Sequence, residues 1–322
     1  MLKIRRRLAL AGAAGFVATP LRAQTAPLRV IVPFAPGGAT DVAARLIAPT
    51  LAEVLSRPVV IENRGGAGSV IGTEATVNAA PDGSTIGFFT VTSSVLNALL
   101  RQTLRFDTRR ALAPVSLVGT MPMLLVVGPH VPARTLAELM GLLRSSPKPL
   151  TYGSAGPGSI NHLAGHLLAM RASGQAVHVP YRGAGAVIPD LIAGNVDFLI
   201  EGFASLHPHV SSGALRGLAV TGEQRVAQLP EVPTATEAGL PDFRILNWFG
   251  TYAPVATPAP LLARLEAGMS AAVRAVPVAT KLKENGITPV GSSAAELERF
   301  WDAESPSGSR WSGRRRCRST EA

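Results

Sequence analysis

From Leu28 onward, short β-branched runs alternate with stretches in which apolar residues recur every three or four positions, the pattern of strands alternating with helices. The runs predict strands over 28–33, 58–62, 85–90, 123–127, 177–180, 196–200 and 215–221. The periodic stretches predict helices over 41–55, 69–79, 135–144, 159–170, 184–193 and 203–213. In the first of these, Ile47, Leu51 and Leu55 fall four residues apart, so one face should pack on the sheet. Such alternation predicts an α/β fold built on a parallel sheet, with Pro81-Asp82-Gly83 as a tight turn. The proline-rich stretch from Pro230 to Pro241 reads as an extended surface crossing. No repeat or long linker precedes residue 305, and 322 residues allow two domains. Those domains must then be divided by topology, the chain passing over and later returning.

Composition narrows the class. Hydrophobic residues make up 47% and charged residues 16%, against roughly 25% charged in an average domain, which excludes a disordered chain. The formal net charge of +10 suggests nucleic acid until the charges are placed. Residues 1–23 hold Lys3, Arg5, Arg6, Arg7 and Arg22 with no acid, and residues 305–322 hold Arg310, Arg314, Arg315, Arg316 and Arg318 against Glu321. The body between them is nearly neutral and poor in aromatics, so no nucleic-acid partner is expected.

The basic start, an apolar run from Leu8 to Val17 and the small-residue site Leu21-Arg22-Ala23 have the three parts of a secretory signal peptide. The run is too short to span a bilayer. A soluble periplasmic protein beginning near Gln24 is the expected product. Its single cysteine, Cys317, excludes an intrachain disulfide and any multi-cysteine metal site.

Candidate chemistry gathers where strands run into helices. Val32 to Asp41, Tyr152 to Ser159 and Pro180 to Gly185 each end a strand, carry glycines and open a helix. Such turns aim free backbone N–H groups outward and favour a carboxylate or phosphate. Taken singly they are ordinary turns with Thr40, Asp41 and Ser159 as helix caps; three together point to binding at the carboxyl ends of the strands. Gly66-Ala-Gly68-Ser-Val-Ile-Gly72 misses the dinucleotide fingerprint because its last glycine is one residue late and no acid follows near Phe88. No cofactor is expected.

Catalytic patterns are weak. Gly153-Ser154-Ala155-Gly156 lacks the spacer of a nucleophile elbow, and His162 and His166 share a helix without the glutamate of a zinc motif. His130, His166, His207 and His209 read as structural or surface residues, while His162 and His178 flank the glycine loops. A serine hydrolase using Ser159 and His162, three residues apart on one helix face, is the enzymatic alternative, though no orienting acid is specified. A transcriptional regulator with an effector domain of similar architecture would need an N-terminal helix-turn-helix, for which there is no room.

Eight segments in order then carry a resemblance: Val32 to Asp41, Val59 to Ser69, Ala79 to Thr85, Tyr152 to Gly165, His178 to Gly185, Asp190 to Asp197, Leu229 to Pro241 and Trp248 to Pro254. Together they resemble the Bug family, solute receptors of tripartite tricarboxylate transporters. The resemblance implies a two-lobed periplasmic-binding-protein fold, type II-like, with two strands crossing between the lobes. Lobe I would take 28–117 and 223–304, and lobe II 118–222. It implies a monomeric, non-enzymatic receptor that grips a small organic acid with loop amides and ordered waters, for membrane transporter subunits. A sensory receptor without a transporter remains the other reading of the same fold.

Matching positions for the ligand are Phe34, Gly37, Gly38 and Asp41 on one lobe, and Ser154, Gly156, Ser159, His162, Tyr181 and Arg182 on the other. Thr92 and Ser93 are polar additions beyond the 85–90 strand. The glycine amides and Ser154 would donate to the ligand, Asp41 would organise its loop, and Arg182 would pair either with a carboxylate or across the lobes. Three departures stand out. Gly65 replaces a more usual proline and should loosen its loop. Glu201 lies near a position more usually Asp followed by Asn. From Ser305 to Ala322 the apolar period is lost where the family continues a helix, so this tail should be disordered.

Overall fold

The computed structural model describes residues 26–100 and 104–311, with side chains as far as 304. The expected signal peptide lies outside the described residues.

β1 (Leu28–Val32), β2 (Val59–Asn63) and β3 (Thr85–Thr90) pair in parallel, with β1 between the other two. α1 (Ala39–Leu55) and α2 (Val70–Val77) connect them. A π-turn over Thr92–Leu96 and two single-turn helices, α3 (Asn97–Leu100) and α4 (Thr108–Ala111), lead into β4 (Leu112–Val127). α5 (Leu136–Ser145), β5 (Leu150–Ser154), α6 (Ile160–Arg171), β6 (Ala176–Pro180), α7 (Val187–Ala193), β7 (Phe198–Gly202), α8 (Phe203–Ser211) and β8 (Arg216–Val220) follow. The chain then returns through β9 (Leu246–Pro254), α9 (Ala259–Arg274), α10 (Val276–Glu284), β10 (Thr288–Pro289) and α11 (Ala294–Trp311).

β4 organises the molecule. Its residues Leu112 to Pro122 pair antiparallel with β9, which also pairs with β3; its residues Met123 to Val127 pair antiparallel with β7 and β8. One strand thus carries the chain from the first sector, β2-β1-β3-β9, into the second, where β5 joins β6 and β7 in parallel. The sheet is mixed, not parallel as expected, because the chain leaves and re-enters the first sector along neighbouring antiparallel strands. Pro114 and Gly119 sit at irregularities in the β4–β9 register, where a missing donor or side chain is tolerated.

Alternation divides the core into two layers. Phe88, Leu124, Val126, Leu199 and Phe249 face one side of the sheet with Ile47, Leu51 and Leu55 of α1. Phe89, Met123, Leu125, Phe198, Ile200 and Trp248 face the other. The α1 stripe packs as its spacing predicts.

The Pro230–Pro241 stretch is not an extended surface crossing. It folds as successive turns that bury Val232, Ala235 and Leu240 and bridge Thr234 to Val220. α11 carries helical backbone through Ser305 to Trp311, and the rest of that tail lies outside the described residues. Extending a helix already anchored by buried Leu297 and Trp301 costs far less than nucleating one.

Candidate functional site

Two groups of strand-end loops meet over the sheet. From one side come Phe34 to Ala39, after β1, and Thr92, after β3; from the other come Ser154 to Ile160, after β5, and Tyr181 to Gly185, after β6. Three hydrogen bonds join them: Ala35 N–H to the Arg182 carbonyl at 3.2 Å, Ile160 N–H to Thr92 Oγ1 at 3.0 Å, and Ala39 N–H to Glu201 Oε1 at 3.3 Å. Glycines permit this approach. A Cβ on Gly185 would lie 2.4 Å from the Pro36 carbonyl oxygen, and one on Gly183 2.4 Å from Ala35 N. At Gly65 a Cβ would fall 2.4 Å from the Arg182 carbonyl oxygen, so the close approach leaves no room for a side chain.

Between the loops is a cavity of about 20 Å³, room for one water. Phe34, Gly38, Thr40, Thr90, Thr92, Ala155, Ile160, Asn161, Ala184, Glu201 and Asn247 line it. Three of the expected site residues, Phe34, Gly38 and Thr92, are therefore at the cavity.

The others shape its walls. Asp41 is buried and accepts from Gly37 N–H at 3.1 Å, Arg45 Nε at 3.0 Å and Asn63 Nδ2 at 2.9 Å. Burial raises its pKa, but these bonds and the Arg45 charge prevail and hold the carboxyl below its ordinary range. The N-cap of α1 is Gly38, without a side-chain bond, so neither Thr40 nor Asp41 caps it. Ser159 does cap α6, accepting from His162 N–H at 3.3 Å. Gly156 packs on Gly68, and Ser154 Oγ accepts from Gly156 N–H at 3.0 Å. The Ser93 hydroxyl is fully buried away from the cavity lining. Arg182 exposes its side chain and meets the opposite loop through its carbonyl.

Behind the loops, Tyr152, His162, His178 and Phe198 stack, with the imidazoles 4.1 Å apart. His162 Nδ1 accepts from Gly158 N–H at 3.2 Å, and His178 Nε2 lies 2.5 Å from Ser154 Oγ. Burial first, and a neighbouring imidazole second, hold His162 and His178 at about 4. Tyr181 donates to Asp190 at 2.6 Å and is pushed up to about 12 by burial and that carboxylate. Ser159 Oγ accepts from the His162 backbone, and the His162 imidazole Nδ1 accepts from Gly158 N–H, not from the serine hydroxyl. No cluster of three metal-ligating side chains occurs among the described residues. Of the remaining histidines, His130 bonds Asp197 at 2.9 Å and His207, half-buried, stacks on Phe203.

Sequence reasoning missed Thr40, Thr90, Asn161 and Asn247 as lining residues, and noted Glu201 only as a departure. Glu201 is buried at the end of β7. Besides Ala39, Asn161 Nδ2 and Gly202 N–H donate to it, while the neighbouring Ser205 hydroxyl donates to the Gly202 carbonyl. Burial pushes its carboxyl up against the pull of these donors.

The family described as Tripartite tricarboxylate transporter family receptor matches residues 43–310. The chain belongs to that family. Protein BugT of Bordetella pertussis (strain Tohama I) is 34% identical over 319 residues, 97% of each chain. Among solved structures, MatC (Rpa3494) from Rhodopseudomonas palustris with bound malate matches with a TM-score of 0.83 at 32% identity, over 88% of this chain and 97% of that one. R. palustris Rpa4515 with adipate gives 0.86 at 31% identity, over 90% and 97%. The receptor thus has the two-lobed α/β fold of periplasmic binding proteins, as its motifs implied. No helix among its described residues is long and apolar enough to cross a membrane.

Proposed function

We propose that this receptor, exported by its 1–23 segment to the periplasm, closes two lobes on a small organic carboxylate and delivers it, unchanged, to the membrane subunits of a tripartite transporter. The lobes are 28–117 with 223–304, and 118–222, and the receptor acts as a monomer. The observation that carries this reading is the convergence of glycine-bearing strand-end loops from both sides on one polar cavity, joined by the Ala35–Arg182, Ile160–Thr92 and Ala39–Glu201 bonds. The relatives crystallised with malate and adipate support the ligand class.

Gly38 N–H and the Thr92 and Asn247 side chains are the ligand's partners, directly or through water, while Gly37 N–H is held by Asp41. Asp41, Ser154, Gly156, Ser159 and His162 hold the loops that present them. Tyr181 and Arg182 carry the opposing loop, and Ser93 supports the Thr92 turn. Closure joins both lobes to one ligand, so binding should appear as thermal stabilisation. A ligand at 100 times its Kd adds about 2.7 kcal/mol. A thermal-shift panel of mono-, di- and tricarboxylates, amino acids, neutral sugars and nucleotides should give hits among the acids. Stabilisation by sugars or nucleotides alone would refute the assignment.

A further inference from the structure

Glu201 puts a carboxyl group where an anion receptor would be expected to hold none. It stands at the carboxyl end of β7 and reaches across the cleft to Ala39 N–H at 3.3 Å, in the first turn of α1. That N-terminus is the natural seat for a ligand carboxylate, and the chain's own carboxylate already occupies it. A Cβ on Gly38 would sit 3.8 Å from Glu201 Oε1, so the side chain lies directly over the glycine loop.

Two further facts define its role. Three backbone or amide groups donate to the carboxylate: Ala39 N–H, Gly202 N–H and the Asn161 amide. These donors favour the ionised form, while burial without a counter-charge opposes it. The rest of the cavity lining is neutral, with no Lys, Arg or His among it. A buried carboxylate without a cation is poorly compensated by neutral donors alone. The missing counter-charge is best supplied by what enters the cleft.

Building on the solute-receptor reading above, we propose that Glu201 is the specificity determinant of this receptor and selects a carboxylate that also bears a cationic N–H group, an amino-acid-like zwitterion, over plain di- and tricarboxylates. The ligand ammonium faces Glu201, and the ligand carboxylate lies away from it, toward the neutral donors. A plain dicarboxylate meets like-charge repulsion at Glu201 and finds the α1 seat taken.

Matched pairs test this by calorimetry at pH 7.5: L-glutamate with glutarate, L-aspartate with succinate, and L-leucine with 4-methylpentanoate, each differing by one amino group. In at least one pair the amino-bearing member should bind the unaltered protein roughly 10-fold or more tightly, the scale of a hydrogen bond to a charged group. Glu201→Gln should erase that preference or reverse it, whereas Glu201→Asp, which keeps the charge, should preserve its sign. Melting of each variant without ligand establishes that it is folded, and the ratio in the unaltered protein needs no variant at all. Tighter binding of the deaminated members, or a ratio unmoved by Glu201→Gln, overturns the role of Glu201 and leaves the carboxylate receptor standing. Binding of none of the six acids overturns the role of Glu201, and failure of every acid in the thermal-shift panel overturns both.

Discussion

Gly185→Ala should separate ligand binding from folding. The added Cβ would lie 2.4 Å from the Pro36 carbonyl oxygen, 2.5 Å from Gly38 N and 2.7 Å from Gly37 C. All three atoms belong to the opposite loop, so the clash exists only when the loops meet. Restoring ordinary contact at roughly 3.5 Å means a retreat of about 1 Å. The bonds Ala35–Arg182, at 3.2 Å, and Ala39–Glu201, at 3.3 Å, would then exceed hydrogen-bonding distance. At about 0.5–1.5 kcal/mol each, losing both costs about 1–3 kcal/mol of closure, or about 5- to 150-fold in Kd. Unliganded stability should stay within about 0.5 kcal/mol, as for substitutions that leave packing within each lobe alone. Calorimetry with the acid that most stabilises the unaltered protein gives Kd, and urea unfolding without ligand gives stability. Binding within twofold of the unaltered protein would show that these loops need not meet, and the closure argument would fail.

Two other predictions concern stability. His162 and His178 titrate at about 4 when folded, against an ordinary histidine value of 6.5; the unfolded chain therefore takes up protons first, and the stability held above pH 6.5 drains away as pH falls toward 4. Allowing for partial exposure, urea unfolding should lose about 2–4 kcal/mol from this pair between pH 7 and 4, and His178→Gln should flatten that slope. Trp301 is buried, meets Tyr252 edge-on at 5.0 Å and lies under the Arg109 guanidinium at 5.2 Å. Trp301→Ala should cost about 3–5 kcal/mol and lower Tm by several degrees; a change under 1 °C in calorimetric melting would show that α11 does not brace the sheet.

What the sequence revealed follows from the range of the interactions. Ile47, Leu51 and Leu55 declare α1 because helix periodicity is local, and β3 was legible from Thr85 to Thr90. β4 was seen only over its last five residues, since Pro114, Gly119 and Pro122 break the alternation in a strand whose irregularities are accommodated by β9. α9 was overlooked although Leu265, Met269 and Val273 repeat every four residues. At the site, motif segments located the loops but not the residues within the cavity. Glu201 ends an apolar run that looks like any buried strand, and the amide it reaches is 162 residues away. Likewise, nothing in the spacing of His162 and His178 shows that their rings lie 4.1 Å apart.

This division of labour has a physical reason. Gly156, Gly183 and Gly185 contribute no side chain where the loops touch, so the proposed closure would bring backbone to backbone without reading the ligand's distal groups. Discrimination must then fall to side chains lining the cavity, and among these Thr40, Thr90, Thr92, Asn161 and Asn247 offer hydrogen bonds of either sense. Only Glu201 among the lining residues is ionisable and can set a charge against a ligand's. The proposed closure of the loops on an acid and the proposed choice among acids by Glu201 are therefore separable. Gly185→Ala should weaken every ligand alike, while Glu201→Gln should change their order.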